Sequence, residues 1–307
     1  MHSTFLRMHS LHFTRSKVSA FEFYHCIACW SDNTGCGHDP AGVDATQEGE
    51  LVVLCPACPH PGKNMAETLE DVSPGNQWIY SLFLAIDANF HLKCHLVSSN
   101  DRDPGLSQGW GYFVEERNYK AYLQENATLT QEKSTCVSHN AISMADTKAS
   151  KGLVATGIGT VVCARHDMQL ANGVRDLQKG EKYLNMDYIV FSTLSCFSSI
   201  PSINFSCNIA LLTTLPLQPH PSSIQQYRFF VPKFHLAAHI AASQAVFLFN
   251  WSPHVGRTDR EAPERGWADI NHVAASMKEM APGMCQDVLD DHFGDWNWKK
   301  VTGLGKS

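Results

Sequence analysis

Acid is missing from the middle of this chain: between Tyr188 and Thr258 there is neither Asp nor Glu. Chemistry that needs several carboxylates must therefore take them from the two flanks. Long apolar runs are lacking too. No stretch of about 18 uninterrupted apolar residues occurs, so no membrane span and no membrane partner is expected. Met1 to Ala20 holds Arg7, Arg15 and Lys17 but no acid. That composition touches an organellar transit peptide, yet Phe5, Leu6, Leu11 and Phe13 lead into Phe21-Glu22-Phe23-Tyr24, and a plain first helix is the simpler reading. No secretory apolar segment is visible. Charged residues make up 18% of the chain and the net charge is −6, which argues against a uniformly basic nucleic-acid binder while leaving room for a local basic groove.

Cysteine and histidine, by contrast, are plentiful: 11 and 16 in 307 residues. An odd cysteine count without a signal peptide favours free thiols and metal sites over a disulfide framework. Cys136-Val137-Ser138-His139 and Cys163-Ala164-Arg165-His166 are two CxxH pairs. A thiolate and an imidazole two residues apart can turn toward one ion, and two such pairs would complete a tetrahedral structural zinc shell. The alternative is buried cysteines beside surface histidines. Cys26-Ile27-Ala28-Cys29 and Cys55-Pro56-Ala57-Cys58 form a second candidate set. Here Cys55 and Cys58 are the better ligands, because Pro56, Pro59, Pro61 and Gly62 give them a loop setting. Cys26 and Cys29 sit in an amphipathic stretch where they read as small core residues. Thr156-Gly157-Ile158-Gly159-Thr160 lacks the lysine of a phosphate loop, and its glycines are assigned to turns. His235-Leu236-Ala237-Ala238-His239 lacks the glutamate of a zinc protease and is assigned to helix packing.

Asp87 stands at the end of the apolar run Trp78-Ile79-Tyr80-Ser81-Leu82-Phe83-Leu84-Ala85-Ile86, as expected of a core strand that delivers a carboxylate to a site. A carboxylate there is costly to bury unless it is paired or holds a metal. The far flank offers Glu261 and Glu264. Pro263 suits the first position of a helix with Ala262 as its cap. Trp267, Ile270, Val273, Ala274, Met277 and Met280 then follow at near-helical intervals, with Glu264 on the same inward stripe. An acid on the buried side of a helix's first turn can reach a metal, with Glu261, before Pro263, the weaker candidate; the alternative is a helix-start carboxylate favoured by the dipole. DNA contact would use basic residues near this site, such as Arg257, Arg260, Arg265, Lys299 and Lys300, and weaken steeply with salt; the alternative is that these are solvated surface charges.

Taken together, these segments resemble the KDZ (Kyakuja–Dileera–Zisupton) transposases of fungi. The resemblance rests on Gly37-His38-Asp39-Pro40-Ala41-Gly42-Val43, Leu54-Cys55-Pro56-Ala57-Cys58-Pro59-His60-Pro61-Gly62, Asp87-Ala88-Asn89-Phe90 and Cys163-Ala164-Arg165-His166. It continues through Lys133-Ser134-Thr135-Cys136, Asp176-Leu177-Gln178-Lys179-Gly180-Glu181, Asn185-Met186-Asp187-Tyr188, Phe230-Val231-Pro232-Lys233-Phe234-His235, Gly256–Trp267 and Asp295-Trp296-Asn297-Trp298-Lys299-Lys300. It implies an α/β fold: an RNase H-like core, a mixed sheet flanked by helices, with an inserted Cys/His-rich region at about 100–185. The N-terminal helical and Cys-rich region would span 1–64 and the core 65–307. Asp87 matches the family's first catalytic aspartate, and Glu264, or else Glu261, its terminal glutamate. Implied with them are Mg2+ or Mn2+ for an active enzyme, a structural Zn2+, transposon-end DNA as partner and the nucleus as compartment. The central family motif, roughly Ser-Tyr-Asp-Ile-Ala-Cys-Gln-Trp, belongs between Tyr188 and Phe230. This chain has Ile203-Asn204-Phe205-Ser206-Cys207-Asn208-Ile209-Ala210 there, without the aspartate. A family segment is also absent between Asn33 and Gly37, and relatives continue past Gly305. The expectation is a transposase ancestry with an incomplete core and lapsed activity, the alternative being a non-catalytic zinc-stabilised DNA- or protein-binding relic.

Overall fold

The structure, a computed structural model, describes residues 46–65, 72–99, 102–106, 108–126, 152–178, 182–207, 226–232, 244, 247–249, 252–255 and 261–304. Among the described residues the strands are β1 (Leu82–Asn89), β2 (Cys94–His95), β3 (Leu153–Ala155), β4 (Gly157–Cys163), β5 (Met168–Leu177), β6 (Ser202–Cys207) and β7 (Gln226–Phe230). The α-helices are α1 (Glu116–Glu125), α2 (Tyr183–Ser195), α3 (Ala262–Ile270), α4 (Ala274–Met277) and α5 (Pro282–Gly303).

Five strands form one mixed sheet in the order β5-β4-β1-β6-β7. β1 is its centre. It pairs antiparallel with β4 and parallel with β6, β4 pairs antiparallel with β5, and β6 pairs parallel with β7. β2 and β3 make a separate two-stranded sheet. Helices cover both faces, which is why β1 is apolar on both sides rather than alternating. Leu82, Leu84 and Ile86 join Val161, Leu177, Ile203 and Phe205 on one face, against Met186, Ile189 and Leu194 of α2. Phe83 and Ala85 point the other way, toward Val162 and Ala262. Farther along that second face, Ile158 and Val174 meet Trp267, Leu289 and Phe293. Each fully buried aliphatic side chain contributes roughly 1.5–3 kcal/mol, so this double coverage holds the central strand in place.

Two local expectations are corrected. The apolar run before Asp87 is not one strand: Pro74–Tyr80 forms a 3-10 helix started by Pro74, which leaves Trp78 and Ile79 exposed, and β1 begins only at Leu82. Periodicity could not divide the run, because both halves are equally apolar. Gly157 and Gly159, read as turn residues, lie inside β4. A Cβ on Gly159 would come within 2.8 Å of Met186 Sδ and 3.0 Å of Ile189 Cδ1, and one on Gly173 of β5 within 3.2 Å of Thr193 Oγ1. These two glycines let α2 lie close on the sheet.

α5 braces the second face. Its start crosses the 103–105 loop so closely that a Cβ on Gly283 would lie 2.4 Å from Asp103 O. Its carboxylates Asp287 and Asp290 accept hydrogen bonds from the backbone amides of Leu106 and Tyr112.

Candidate metal centre and acidic edge

At the end of β4 the chain turns through Ala164-Arg165-His166-Asp167 into β5. Asp167 closes the turn with a positive φ of 54° and donates its amide to Cys163 O at 3.0 Å. Asp tolerates this left-handed conformation better than most residues. The turn carries Cys163 and His166 to one point. The opposing segment, Cys55 to Asn64, is shaped by its own hydrogen bonds. Cys58 N donates to Cys55 O, Asn64 Nδ2 to Cys58 O at 2.7 Å, and His60 Nε2 lies 2.8 Å from Cys55 O. Pro56 and Pro59 suit such a turn by fixing their own backbone angles.

The two segments meet. Cys55 Sγ lies 3.2 Å from His166 Nδ1, Cys163 Sγ 3.3 Å from the same nitrogen, and Cys58 Sγ 3.2 Å from Cys163 Sγ. Cys58 Sγ to His166 Nδ1 is 4.0 Å, and all four ligand atoms fall within 4.8 Å of one another. Around a tetrahedral zinc ion the ligand–ligand edges are about 3.5–3.8 Å, given bonds of about 2.3 Å to sulfur and 2.0–2.1 Å to nitrogen. The group therefore fits such an ion once its ligand separations, now from 3.2 Å to at most 4.8 Å, adjust by up to about an ångström. Its chemistry fits as well. Hydrogen bonds from Cys163 and Cys58 hold the Cys55 thiol well below the usual thiol range. Hydrogen bonding to Cys163, then to Cys55, pushes Cys58 well above it. His166 is pushed up to about 10 by its hydrogen bonds to Cys163 and Cys55. Protons and charge are thus shared unevenly among four crowded groups, and a soft dication relieves that by binding all three as thiolates beside a neutral imidazole.

The set combines one half of each candidate inferred from sequence. Cys55 and Cys58 join Cys163 and His166, whereas spacing paired the latter with Cys136 and His139. Cys136, His139, Cys26 and Cys29 lie outside the described residues, as do His235 and His239.

Asp87 lies in the last turn of β1, opposite Thr160, and therefore about 10 Å along the strand from the level of Cys163. Trp267 Nε1 donates to Asp87 Oδ2 at 2.8 Å. α3 runs alongside β1: Ala262 packs with Phe83 and Ala85, Trp267 meets Asp87, and Asn271 Oδ1 accepts from Asn89 Nδ2 at 2.8 Å. Glu264 stands between the first two of these contacts in the first turn. The helix cap is Glu261 rather than Ala262, one residue earlier than the proline position suggested.

On the neighbouring strand, Ser206 pairs with Ala85 and Asn204 with Phe83. These two residues therefore share the sheet face of Asp87. Both are 1% exposed, and Ser206 Oγ and Asn204 Oδ1 are buried without a hydrogen-bond partner. Among the described residues, no set of three His, Cys, Asp or Glu ligand atoms converges at Asp87. Nor do the other acids of the core replace one there. Asp187 lies on α2, which covers the opposite face. Asp176 is two strands from β1, about 10 Å sideways, and accepts from Gln286 Nε2. Asp167 is taken up by Arg265 and Lys300.

That last contact also revises the basic surface. Arg265 and Lys300 both pair with Asp167, and Lys299 pairs with Asp295, so these three cations are held by acids. Arg257 and Arg260 lie outside the described residues.

Residues 80–297, well over half of the chain, match the family model for the Kyakuja-Dileera-Zisupton transposase. The chain belongs to this family. Comparisons with curated proteins and with solved structures give no significant match. The KDZ match spans both Asp87 and Glu264 and includes the Cys163/His166 turn, while Cys55 and Cys58 precede it. No helix among the described residues is long and apolar enough to cross a membrane.

Sequence reasoning missed the partner of Asp87. Trp267 read only as a core residue, although a buried indole N–H needs an acceptor, and Asp87 supplies it. It also missed Asn297, fully buried in α5. Asn297 donates to Val53 O and Gln169 O and accepts from Gln169 N, so it ties the segment carrying Cys55 to the strand that follows His166.

Proposed function

We propose that this KDZ protein is a transposase-derived core stabilised by zinc at Cys55, Cys58, Cys163 and His166, with its ancestral phosphodiester chemistry lapsed. The observation that carries this reading is the contrast within one sheet: a four-ligand Cys/His set is complete, while among the described residues no comparable acidic set gathers around Asp87.

The strand order supports an RNase H-like core. Three antiparallel strands run to the central β1, and two parallel strands continue beyond it. In such a core the chemistry needs carboxylates on the central strand, on its parallel neighbour and on a flanking helix. The residues here would be Asp87 on β1, Glu264 (or Glu261) on α3, and an acid at the end of β6. When bound, Mg2+ or Mn2+ would activate an attacking hydroxyl and stabilise the leaving oxygen of a phosphodiester. Asp87 and Glu264 would supply anionic oxygens, and Trp267 would orient Asp87. β6 supplies Asn204 and Ser206 on the relevant face. The sequence then reads Ser206-Cys207-Asn208-Ile209-Ala210 where the family pattern has Ser-Tyr-Asp-Ile-Ala. A neutral amide at Asn208 in place of a carboxylate removes one anionic ligand for hard cations. DNA, in particular transposon-end DNA, is the partner this ancestry favours, and the nucleus the compartment that follows from it.

The test is direct. Purified protein is incubated with supercoiled DNA carrying element ends, in Mg2+ or Mn2+. The native chain is expected to leave it intact, and Asn208→Asp to produce nicking that Asp87→Ala abolishes. Nicking by the native chain that is lost in Asp87→Ala would refute the lapse of activity. A zinc content near zero in protein purified without chelator would refute the structural zinc.

A further inference from the structure

Asp167 follows the ligand His166 directly and gathers three side chains from two helices. Arg265 Nε and Nη2 reach its two carboxylate oxygens at 2.8 and 2.6 Å, a two-pronged pairing that fixes direction as well as distance. Lys300 Nζ lies 3.1 Å from Oδ2, and Trp296 Nε1 donates to the Asp167 carbonyl. The Asp167 side chain is 14% exposed, so these contacts are partly shielded from solvent. Arg265 sits between Glu264 and Trp267 in sequence, and Trp267 holds Asp87. A continuous chain of contacts therefore runs from the Cys/His set through the β4–β5 turn and α3 to the end of β1. Arg165, inside the same turn, stacks on the Phe83 ring at 3.7 Å, which seats the turn against β1.

We propose that Asp167 is a positioning residue that transmits occupation of the Cys55/Cys58/Cys163/His166 site to α3. A bound ion would thereby fix the helix bearing Glu264 and Trp267 against Asp87. The proposal rests on the zinc reading above and adds to it a consequence for a part of the fold that touches no metal ligand.

The physical argument concerns what holds the turn. Cys55 and His166 come from segments far apart in sequence, and without an ion they are joined by thiol and imidazole contacts alone, which are weak donors and acceptors. Asp167 must also keep a left-handed backbone conformation, which persists only when its surroundings impose it. An ion binding Cys163 and His166 together fixes the three-residue step between them and so the start of Asp167. The carboxylate is then presented to Arg265 in one orientation. Removing the ion leaves the turn with its stacking and its hydrogen bonds, so Asp167 is then held from α5 alone, by Trp296 and Lys300, and presents its carboxylate to Arg265 less strictly. Lys300 and Trp296 are carried by the long α5, which Asn297 and the Asp287 and Asp290 contacts anchor independently. α3 has nine residues and fewer such anchors, so it is the element that loosens.

Hydrogen exchange of residues 262–270, measured together with zinc content on the full chain, tests this. Asp167→Asn should retain zinc while exchange in α3 rises about tenfold. Cys163→Ser should lose zinc and raise α3 exchange by a similar factor, with exchange in 284–293 of α5 changing less. Arg265→Gln, which leaves the turn intact, should reproduce the α3 effect, and the double variant Asp167→Asn/Arg265→Gln should show no further rise. Unchanged α3 exchange in zinc-loaded Asp167→Asn or Arg265→Gln would overturn the proposal, as would unchanged α3 exchange in zinc-free Cys163→Ser. Loss of zinc from Asp167→Asn would overturn it too, since Asp167 would then help hold the ion rather than relay its presence. Zinc measured in the native chain separates the two readings. A zinc-free native protein removes the structural zinc, whereas a zinc-loaded protein whose α3 ignores these substitutions removes only the relay.

Discussion

Two regions of one sheet, about three residues apart along its central strands, carry opposite kinds of site. At the β4–β5 turn, three thiols and an imidazole crowd within 4.8 Å. At the end of β1, Asp87 meets an indole N–H, and the described part of the parallel neighbour brings Asn204 and Ser206 to the same face. The difference teaches what each site asks of the fold. A Cys/His set stabilises the protein outright when it holds zinc, so losing one ligand costs folding. Carboxylates at the end of a strand serve chemistry and tend to cost stability when they crowd together. An amide or hydroxyl in that place leaves the scaffold standing.

The comparison breaks most readily at the metal. Cys163→Ser, or a strong chelator, should lower the thermal midpoint by more than about 10 °C, because zinc binding energy is folding energy here. Melting followed with and without chelator, alongside metal analysis, checks it. Identical melting curves would mean that the Cys/His corner is packing only.

Packing of α2 on the opposite face comes next. Gly159→Ala places a methyl group against Met186 and Ile189 and should cost about 1–3 kcal/mol, measurable by urea denaturation. The zinc content should stay unchanged, since Gly159 lies four residues along β4 from Cys163 and the Cys/His turn keeps its own hydrogen bonds.

The buried acids give a pH signature of similar or smaller size. Asp187 is pushed up to about 7 by burial alone. Asp287 is pushed up to about 8 mainly by burial, against a backbone hydrogen bond from Leu106 and with help from Asp290. Both folded values lie above the ordinary carboxylate value of 3.8, so the folded state keeps protons that the unfolded chain releases. Stability is therefore greatest at low pH with respect to these groups and falls as pH rises from about 4 to about 8. Asp187→Asn should be neutral near pH 4 and stabilising near pH 8, by roughly 2 kcal/mol. Equal stabilities of the two proteins at pH 8 would show that Asp187 is not desolvated.

The smallest effect sharpens the acidic edge. Trp267→Phe keeps the ring but removes the donor to Asp87, and should cost about 1–2 kcal/mol. The nicking of Asn208→Asp, if gained, should fall in the double variant with Trp267→Phe and vanish with Asp87→Ala. Nicking unaffected by Trp267→Phe would mean that the indole does not orient Asp87.

Much of this was legible before the fold. Asp87 was placed near a strand end because a dense apolar run precedes it, and α3 because Pro263 opens a stripe that Trp267, Ile270 and Met277 continue. Cys163 and His166 were read as ligands on their spacing, and Cys55 and Cys58 on their proline-rich loop. The pairing of these two half-sites was not legible. Spacing describes what a short segment can present to an ion, but not which distant segment completes the shell. The roles of Trp296, Asn297 and Lys300 were equally hidden, since a matched motif does not say that its members hold Asp167, Val53 and Gln169. The glycines of β4 were misread because a residue without a side chain signals a turn and a close helix contact equally well.

The sequence alone determined the strand-end place of Asp87, the helix that Pro263 opens, the family and the stock of ligands, because periodicity and short spacings act over a few residues. Only the tertiary structure decided which cysteines meet which histidine, which sheet face Asp87 shares with Ser206 and Asn204, and that Asp167 joins two helices. Those outcomes depend on strand register and on the closeness of residues more than a hundred positions apart, which chain composition does not encode locally.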